Sequence, residues 1–361
     1  MTPNPAAIDR KFIARAINLA ARALYTTDPN PRVGCVLVHG NETVAEGWHE
    51  RVGEPHAEVM ALRAAGPRAR GATAYVTLEP CSHTGRTPPC ADALIAAGVA
   101  RVVCSSADPS PKVAGAGIAR LKAAGIAVET GVLAEEARQL NPGFFSRFER
   151  GRPFVRLKMA MTLDARTAPA IPAQLWISSA ASRADVQTLR ARSSAVLTGS
   201  GTIRTDNPGL DVRLDYGAWV RQPLRVVLDT TLSCAADAKV FKDDHCLIFA
   251  ADDAAKVHKG RARIERVARA QGGLDLDAVL RRLTELEVNE LLLECGPTLA
   301  GAFVARQLVD EWVLYVAPKF LGDDAAPLLR AQVGAASAAY EFRDVRRIGD
   351  DVRLTLNLKK A

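Results

Sequence analysis

His56, Glu58, Cys81 and Cys90 are the side chains whose types and spacing in this sequence promise chemistry. Cys81 lies 25 residues after His56, and Cys90 lies 9 after Cys81. One imidazole and two thiolates suit a zinc ion, and three protein ligands leave the fourth tetrahedral position for water. Zinc lowers the pKa of such a water to about 7, so hydroxide is available near neutrality. Glu58 stands two residues from His56. From there it reaches the water without ligating the metal. It can pass a proton to a ring nitrogen and then to departing ammonia. That is the chemistry of a hydrolytic deamination.

His56 and Cys90 each open a predicted helix, and the positive end of a helix favours thiolate at Cys90. Pro80 precedes Cys81, and Pro88-Pro89 precede Cys90. An H-x-E sequence followed by P-C-x-x-C is how zinc nucleobase deaminases present these groups. Here eight residues, Ser82 to Pro89, stand between the cysteines instead of two. A chance H-A-E beside two buried cysteines leaves both Pro-Cys pairs unexplained. A purely structural zinc needs a fourth protein ligand, for which His83 is the candidate, and it gives Glu58 no task.

The elements that must hold these groups follow from periodicity and turn residues. A helix is expected over about Asp9 to Leu24. Strands are expected at Val33 to Val38, Ala72 to Leu78, Val99 to Ser105 and Ile126 to Glu129, with a return at Val44 to Gly47. Helices are expected from His56 to Ala65, Cys90 to Ala97 and Ile118 to Ala124. The stretch from Asn141-Pro142-Gly143 to Gly151-Arg152-Pro153 reads as a junction. A second α/β series follows. Its strands are Val155 to Met159, Ala195 to Thr198, Arg225 to Asp229, Cys246 to Ala250, Glu290 to Glu294, Glu311 to Ala317 and Val352 to Leu358. Its helices are Ala181 to Arg192, Asp275 to Leu286 and Pro297 to Arg306. The alternation predicts an α/β protein with a largely parallel sheet.

Two strand exits in the second series are glycine-rich. One runs from Leu291 to Gly301 and the other from Leu197 to Ile203, followed by the turn Thr205-Asp206-Asn207-Pro208. Neither is a G-x-G-x-x-G fingerprint. Both can turn backbone N–H groups towards phosphates, and two such loops from parallel strand ends can bracket a dinucleotide.

With 361 residues, of which 48% are hydrophobic and 24% charged, the chain has material for about two domains with real cores. No apolar stretch of about 18 residues is present, so no spanning helix is expected. Asp9, Arg10, Lys11 and Arg15 interrupt any apolar N-terminal core, so a cytoplasmic location is expected. Seven cysteines, an odd count, argue against a disulfide framework. The net charge of +7 is mild at this length and fits phosphate-bearing small ligands.

Three runs carry a resemblance: Asn30-Pro31-Arg32-Val33-Gly34-Cys35-Val36, Gly53-Glu54-Pro55-His56-Ala57-Glu58, and Thr77 to Cys90. They resemble the bifunctional deaminase–reductases of riboflavin biosynthesis, a likeness that extends from about residue 10 to 358. The long inter-cysteine loop is specific to that family. The resemblance implies a cytidine-deaminase-like three-layer domain over 1–148, with one zinc per chain. It implies a dihydrofolate-reductase-like domain over 149–361, using NADPH. The deaminase substrate would be a diaminopyrimidinone bearing a ribosylamino phosphate. Asn30 and His49 would contact its pyrimidine, and His83 and Arg86 its phosphate. The second domain would then reduce the ribosyl chain to ribityl. Ala160, Trp176, Thr202, Asp206, Thr230 and the turn Gly296, Pro297, Thr298, Leu299, Ala300, Gly301 and Ala302 would line the cofactor. Gln174, Arg190, Leu210, Arg213 and Glu294 would hold the substrate, with Arg190 and Arg213 as phosphate clamps. The family's habits also imply a homo-oligomer, with neither nucleic acid nor membrane as partner.

Two departures motivate an alternative. Asp164-Ala165-Arg166 stands where the family commonly has Asp-Gly-Arg, and Gln174 stands where it has serine, in a stretch stiffened by Pro169 and Pro172. A chain with only the deaminase half active, serving another branch from the same intermediate, would look like this. A nucleic-acid-directed deaminase is a third reading, supported by the basic balance. The long loop and the lack of a basic stripe studded with aromatics stand against it.

Overall fold

The computed structural model describes residues 5–82, 89–170, 176–213, 220–255, 260–270, 272–330 and 339–359. The chain divides into two compact units, Met1–Arg150 and Gly151–Ala361.

In the first unit α1 (Pro5–Ala20) precedes a hairpin of β1 (Gly34–His39) and β2 (Glu42–Trp48). Then come α2 (Ala57–Ala65), β3 (Thr73–Val76), α3 (Cys90–Ala97), β4 (Arg101–Cys104), α4 (Ala116–Ala123), β5 (Ala127–Thr130), α5 (Ala134–Leu140) and α6 (Pro142–Arg150). The sheet order is β2-β1-β3-β4-β5. Successive strand residues face opposite sides, and both sides are covered. Val36, Val38, Tyr75 and Val103 pack on Phe12, Ile13, Ala16 and Leu19 of α1. Cys35, Leu37, Ala74, Val76 and Val102 pack on Ala57 and Ala61 of α2, Ala91 and Leu94 of α3, and Leu121 of α4. The unit is a three-layer sandwich.

Its sheet is mixed, which corrects the largely parallel expectation. β1 runs antiparallel to both β2 and β3, and only β3-β4-β5 are parallel. The cause is the hairpin, which turns the chain before α2 can return it in parallel. The boundary between the units, after Arg150, falls within the stretch read as a junction, whose residues 142–150 form α6. Pro142 is tolerated in a first helical turn, where its missing N–H costs nothing. Phe144 and Phe145 then bury themselves against Leu78.

The second unit opens with β6 (Phe154–Thr162), β7 (Arg166–Ala168), α7 (Ala180–Arg192), β8 (Ala195–Gly199) and α8 (Ser200–Asp206). It continues through β9 (Leu224–Leu228), β10 (Cys246–Ala251), β11 (Arg263–Val267), and the short pair β12 (Arg269–Ala270) and β13 (Gly273–Leu274). It closes with α9 (Leu276–Glu285), β14 (Glu290–Glu294), α10 (Pro297–Ala305), β15 (Glu311–Ala317), β16 (Ala326–Pro327), β17 (Tyr340–Ile348) and β18 (Asp351–Leu358). The main sheet has the order β11-β10-β9-β8-β14-β6-β15-β18-β17. It is parallel from β11 to β15, and an antiparallel hairpin extends it. Leu276, Val279, Leu283 and Phe303 from α9 and α10 cover one face, and Val186 and Leu189 from α7 cover the other.

The sequence reading omits β11, β17 and α8. β11 and β17 are the two edges of the sheet. They carry Arg263, Glu265 and Arg266, and Arg343, Arg346 and Arg347, in place of an apolar alternation. Charged edges guard against pairing with other chains, and the same charges hide the strand from a periodicity search. The residues read as a loop and turn after β8 are wound into α8. Ala165 has φ +56°, so this position does take the left-handed conformation for which glycine is suited.

Candidate functional site

In the first unit, three elements deliver one cluster. His56 is the N-cap of α2 and Cys90 the first residue of α3, after Pro89. Gly98 ends α3 at φ +71°, so the helix is only long enough to seat Cys90 and bury Leu94. Cys81 follows the exit of β3. His56 Nδ1 lies 3.7 Å from Cys81 Sγ and 3.3 Å from Cys90 Sγ, and the Cys90 N–H points at Cys81 Sγ at 3.3 Å. All three ligand atoms fall within 4.8 Å of one another. The donor set fits zinc, which takes nitrogen and sulfur ligands in just such clusters. His83, the fourth ligand of the structural-zinc alternative, lies outside the described residues, as does Arg86.

The electrostatics suit a cation. A shared proton with Cys90 draws the Cys81 thiol down to about 4, against the opposing effect of burial. The same partnership, reinforced by burial, pushes the Cys90 thiol far up. A metal entering the cluster would displace that proton. Glu58 is 3% exposed in the first turn of α2. Burial lifts its carboxyl to about 6, against the pull of His56. Near neutrality such a group both accepts and donates protons.

His49 and Asn30 come together beside the cluster. His49 is buried, and its ring stands edge-on to that of His56 with centroids 5.3 Å apart. Its Nδ1 faces the Pro55 carbonyl at 3.1 Å and therefore carries the hydrogen. Nε2 is then an acceptor and takes a hydrogen bond from Asn30 Nδ2 at 3.1 Å. Both ring nitrogens are engaged, so His49 orients Asn30 and the amide oxygen of Asn30 is left for another donor. Asn141 fixes the same loop, pairing reciprocally with the Arg32 N–H (2.8 Å) and carbonyl (2.9 Å).

In the second unit, Ala160, Thr230, Glu294 and the Gly296–Ala302 turn lie on or just after β6, β9 and β14, Thr202 and Asp206 on α8 after β8, and Arg190 on α7. Gly199 and Leu299 nearly touch: a Cβ on Gly199 would lie 3.3 Å from Leu299 Cδ2, so the two glycine-rich strand exits face each other. Gly296 caps α10, with Pro297 at its start. Thr298 is exposed; Gly296, Pro297, Leu299 and Ala302 are half-buried; Ala300 and Gly301 are buried in the core. The latter two therefore act through backbone and packing. Thr202, Thr230 and Ala160 are half-buried and Asp206 exposed. Trp176 is 68% exposed, with the Arg183 guanidinium 4.7 Å from its ring. Gln174 lies outside the described residues.

Arg190 and Glu294 form one unit. Arg190 Nε and Nη2 donate to the two carboxylate oxygens at 2.6 and 2.9 Å, and Nη1 donates to the Asp211 carbonyl at 3.0 Å. Burial works to raise the Glu294 pKa, but Arg190 outweighs it and the carboxyl is held below its usual range. Arg190 is thus bound to Glu294 and the Asp211 carbonyl. Arg213 is exposed, with its backbone N–H on Gln187 Oε1 at 2.9 Å. Leu210 is buried at φ +56°.

Two residues in these sites escape the sequence reading. Lys158 on β6 pairs in register with Glu294. Burial lowers its pKa while Glu294 opposes that, and its ammonium stands over the Tyr315 ring, 5.9 Å from the centroid. A lysine inside a predicted strand gives no cue of its own. Glu79 sits in the Thr77–Cys90 run, but its bonding partners are remote in sequence.

Comparison with known proteins agrees with the division into units. The cytidine and deoxycytidylate deaminase zinc-binding region matches residues 6–106, and the RibD C-terminal domain matches residues 153–354. The riboflavin biosynthesis protein RibD of Escherichia coli is 46% identical over 362 residues, covering 96% of this chain and 99% of that protein. The RibD of Haemophilus influenzae is 42% identical, covering 97% and 98%. Among solved structures, Acinetobacter baumannii RibD superimposes with a TM-score of 0.92 at 40% identity, covering 98% of this chain and 100% of that one.

Proposed function

The chain belongs to the RibD family of bifunctional riboflavin-biosynthesis deaminases and reductases, and from that premise we propose how its residues divide the two reactions. The observation that carries the reading is the His56, Cys81 and Cys90 cluster with buried Glu58 on the same helix as His56.

In the first reaction, His56 Nδ1 and the two sulfurs would hold one zinc per chain. When bound, zinc supplies the Lewis acidity that lowers the pKa of water. Glu58 accepts the proton that water loses, delivers it to the pyrimidine ring nitrogen, and then returns a proton to the amine that leaves as ammonia. Its raised pKa suits both directions. Asn30 presents its amide oxygen to an N–H of the diaminopyrimidinone, held in that orientation by His49. His83 and Arg86 remain the candidates for the ribose phosphate.

In the second reaction, NADPH when bound would supply the hydride for reduction of the ribosyl chain. The chain's part is to bind and orient. Backbone N–H groups at the start of α10 suit a cofactor phosphate. Glu294, fixed by Arg190, accepts hydrogen bonds from the substrate. Arg213 and Lys158 supply positive charge to its phosphorylated end. No membrane-spanning helix occurs among the described residues, and the family reading makes the substrate a small phosphorylated pyrimidine. A homo-oligomer belongs to the same proposal. No observation favours a chain restricted to deamination, since the likeness to RibD proteins runs through both halves.

Chelation tests the division of labour. Removing the metal should abolish release of ammonia, and zinc should restore it. NADPH oxidation with already deaminated substrate should continue throughout. Loss of both activities on chelation would contradict the proposal.

A further inference from the structure

Glu79 is 3% exposed, yet neither reaction uses it. Its carboxylate accepts four backbone hydrogen bonds. Oε2 takes the N–H of Asp108 at 3.1 Å and of Gly115 at 3.0 Å. Oε1 takes the N–H of Gly117 at 2.9 Å and of Ile118 at 3.1 Å. Its own N–H donates to the Ser106 carbonyl at 2.9 Å.

Two of these donors belong to the first turn of α4, where a helix has N–H groups without internal partners. An N-cap side chain normally satisfies them. Here the N-cap is Gly115, at φ +87°, which has no side chain to offer. Glu79 therefore caps α4 from another element, and its charge sits at the favourable end of the helix. The contact is close on the other side too. A Cβ on Gly117 would lie 1.9 Å from the Pro80 carbonyl oxygen, so α4 rests directly on the backbone of Glu79-Pro80.

The residue after Pro80 is the ligand Cys81. Its carbonyl accepts from the Ala91 N–H at 3.1 Å, and its sulfur faces the Cys90 N–H at 3.3 Å. Cys81 is thus suspended between α3 and the strand exit that Glu79 clamps onto α4. We propose that Glu79 is a positioning residue for the metal centre: its carboxylate cap on α4 fixes the Glu79-Pro80 backbone and thereby sets the place of the Cys81 sulfur. The proposal rests on the zinc reading of the cluster.

The carboxylate is required rather than the shape. Glutamine in its place would offer one acceptor oxygen and turn an NH₂ group towards two N–H donors. Outer partners that orient a ligand typically change metal affinity by about 10–100-fold when lost.

The test uses the full chain, with E79Q beside wild type. Zinc affinity is measured by competition with a chromophoric chelator, and ligand geometry by the absorption spectrum of the cobalt-substituted protein. E79Q should bind zinc at least about tenfold more weakly, with altered cobalt bands, while NADPH oxidation in the second unit is unchanged. A wild-type affinity and spectrum in E79Q would overturn the proposal. Failure of the wild type itself to bind zinc would instead overturn the zinc reading. If E79Q does not fold, E79D decides, because it keeps the charge but is one methylene shorter and draws the carboxylate back from the α4 and loop N–H groups. Shifted cobalt bands in E79D support the proposal, and wild-type bands overturn it.

Discussion

Arg190 Nε and Nη2 grip both carboxylate oxygens of Glu294, at 2.6 and 2.9 Å, across the gap between α7 and the end of β14. Both side chains are nearly buried, at 9% and 13% exposure. A bidentate pair of this kind fixes the carboxylate plane. Arg190 thereby supports its neighbour Glu294.

Glu294→Gln should therefore lower reductase kcat/KM on the order of a hundredfold, the worth of one hydrogen bond to a charged group. Deamination should be unaffected. The check is a pair of steady-state assays on the same preparation. Equal loss of both activities would point to misfolding of the chain instead.

Asp9 ties α1 to the sheet. It is 6% exposed, accepts two hydrogen bonds from Arg101 at 2.8 Å, and takes one from the Tyr75 hydroxyl at 3.0 Å. The Arg101 bond is the main reason its pKa lies below the ordinary 3.8, against the opposing effect of burial. A carboxyl depressed in the folded state adds stability above its unfolded pKa, and that stability is lost as pH falls through the folded value. Arg101 is 34% exposed, so the screened contribution is about 1–2 kcal/mol. Asp9→Asn should unfold at lower temperature than wild type at neutral pH. The gap should narrow below about pH 4. A gap that widens in acid would contradict this assignment.

Ala165 holds φ +56°, a conformation that disfavours any Cβ. Ala165→Gly should relieve that strain, less the backbone entropy glycine gives up on folding. The expected net gain is at most about 1 kcal/mol, measured as a rise in the denaturant midpoint of the second unit. Reductase turnover should stay close to wild type. A lower midpoint would show that the turn is not strained by alanine.

The metal cluster was legible because its residue types, prolines and helix starts all lie in short runs. Cys90–Ala97 is a helix with the expected limits because Pro89 opens it and Gly98 closes it. β14 and β15 also have their expected bounds, since buried strands are continuous apolar runs. The edge strand β17 of the second sheet was not legible, because Arg343, Arg346 and Arg347 break the alternation that marks a strand. α6 was hidden by Asn141-Pro142-Gly143, which reads as a break although proline suits a first helical turn. The tasks of Glu79 and Arg190 were the least accessible. Glu79 finds its donors 29 to 39 residues away, and Arg190 meets Glu294 across 104 residues. Only the folded sheet brings such partners together.

The most direct test of the account is mass spectrometry of the product, comparing zinc-loaded wild type with Glu58→Gln. Each is given the diaminopyrimidinone ribosylamino phosphate, with and without NADPH. Wild type should exchange one amine for oxygen in both tubes and add two hydrogens only with NADPH. Glu58→Gln should keep its zinc and lose deamination by about 10²-fold or more. It should still reduce substrate that has already been deaminated. Full deamination by Glu58→Gln, or no deamination by zinc-loaded wild type, would contradict the account.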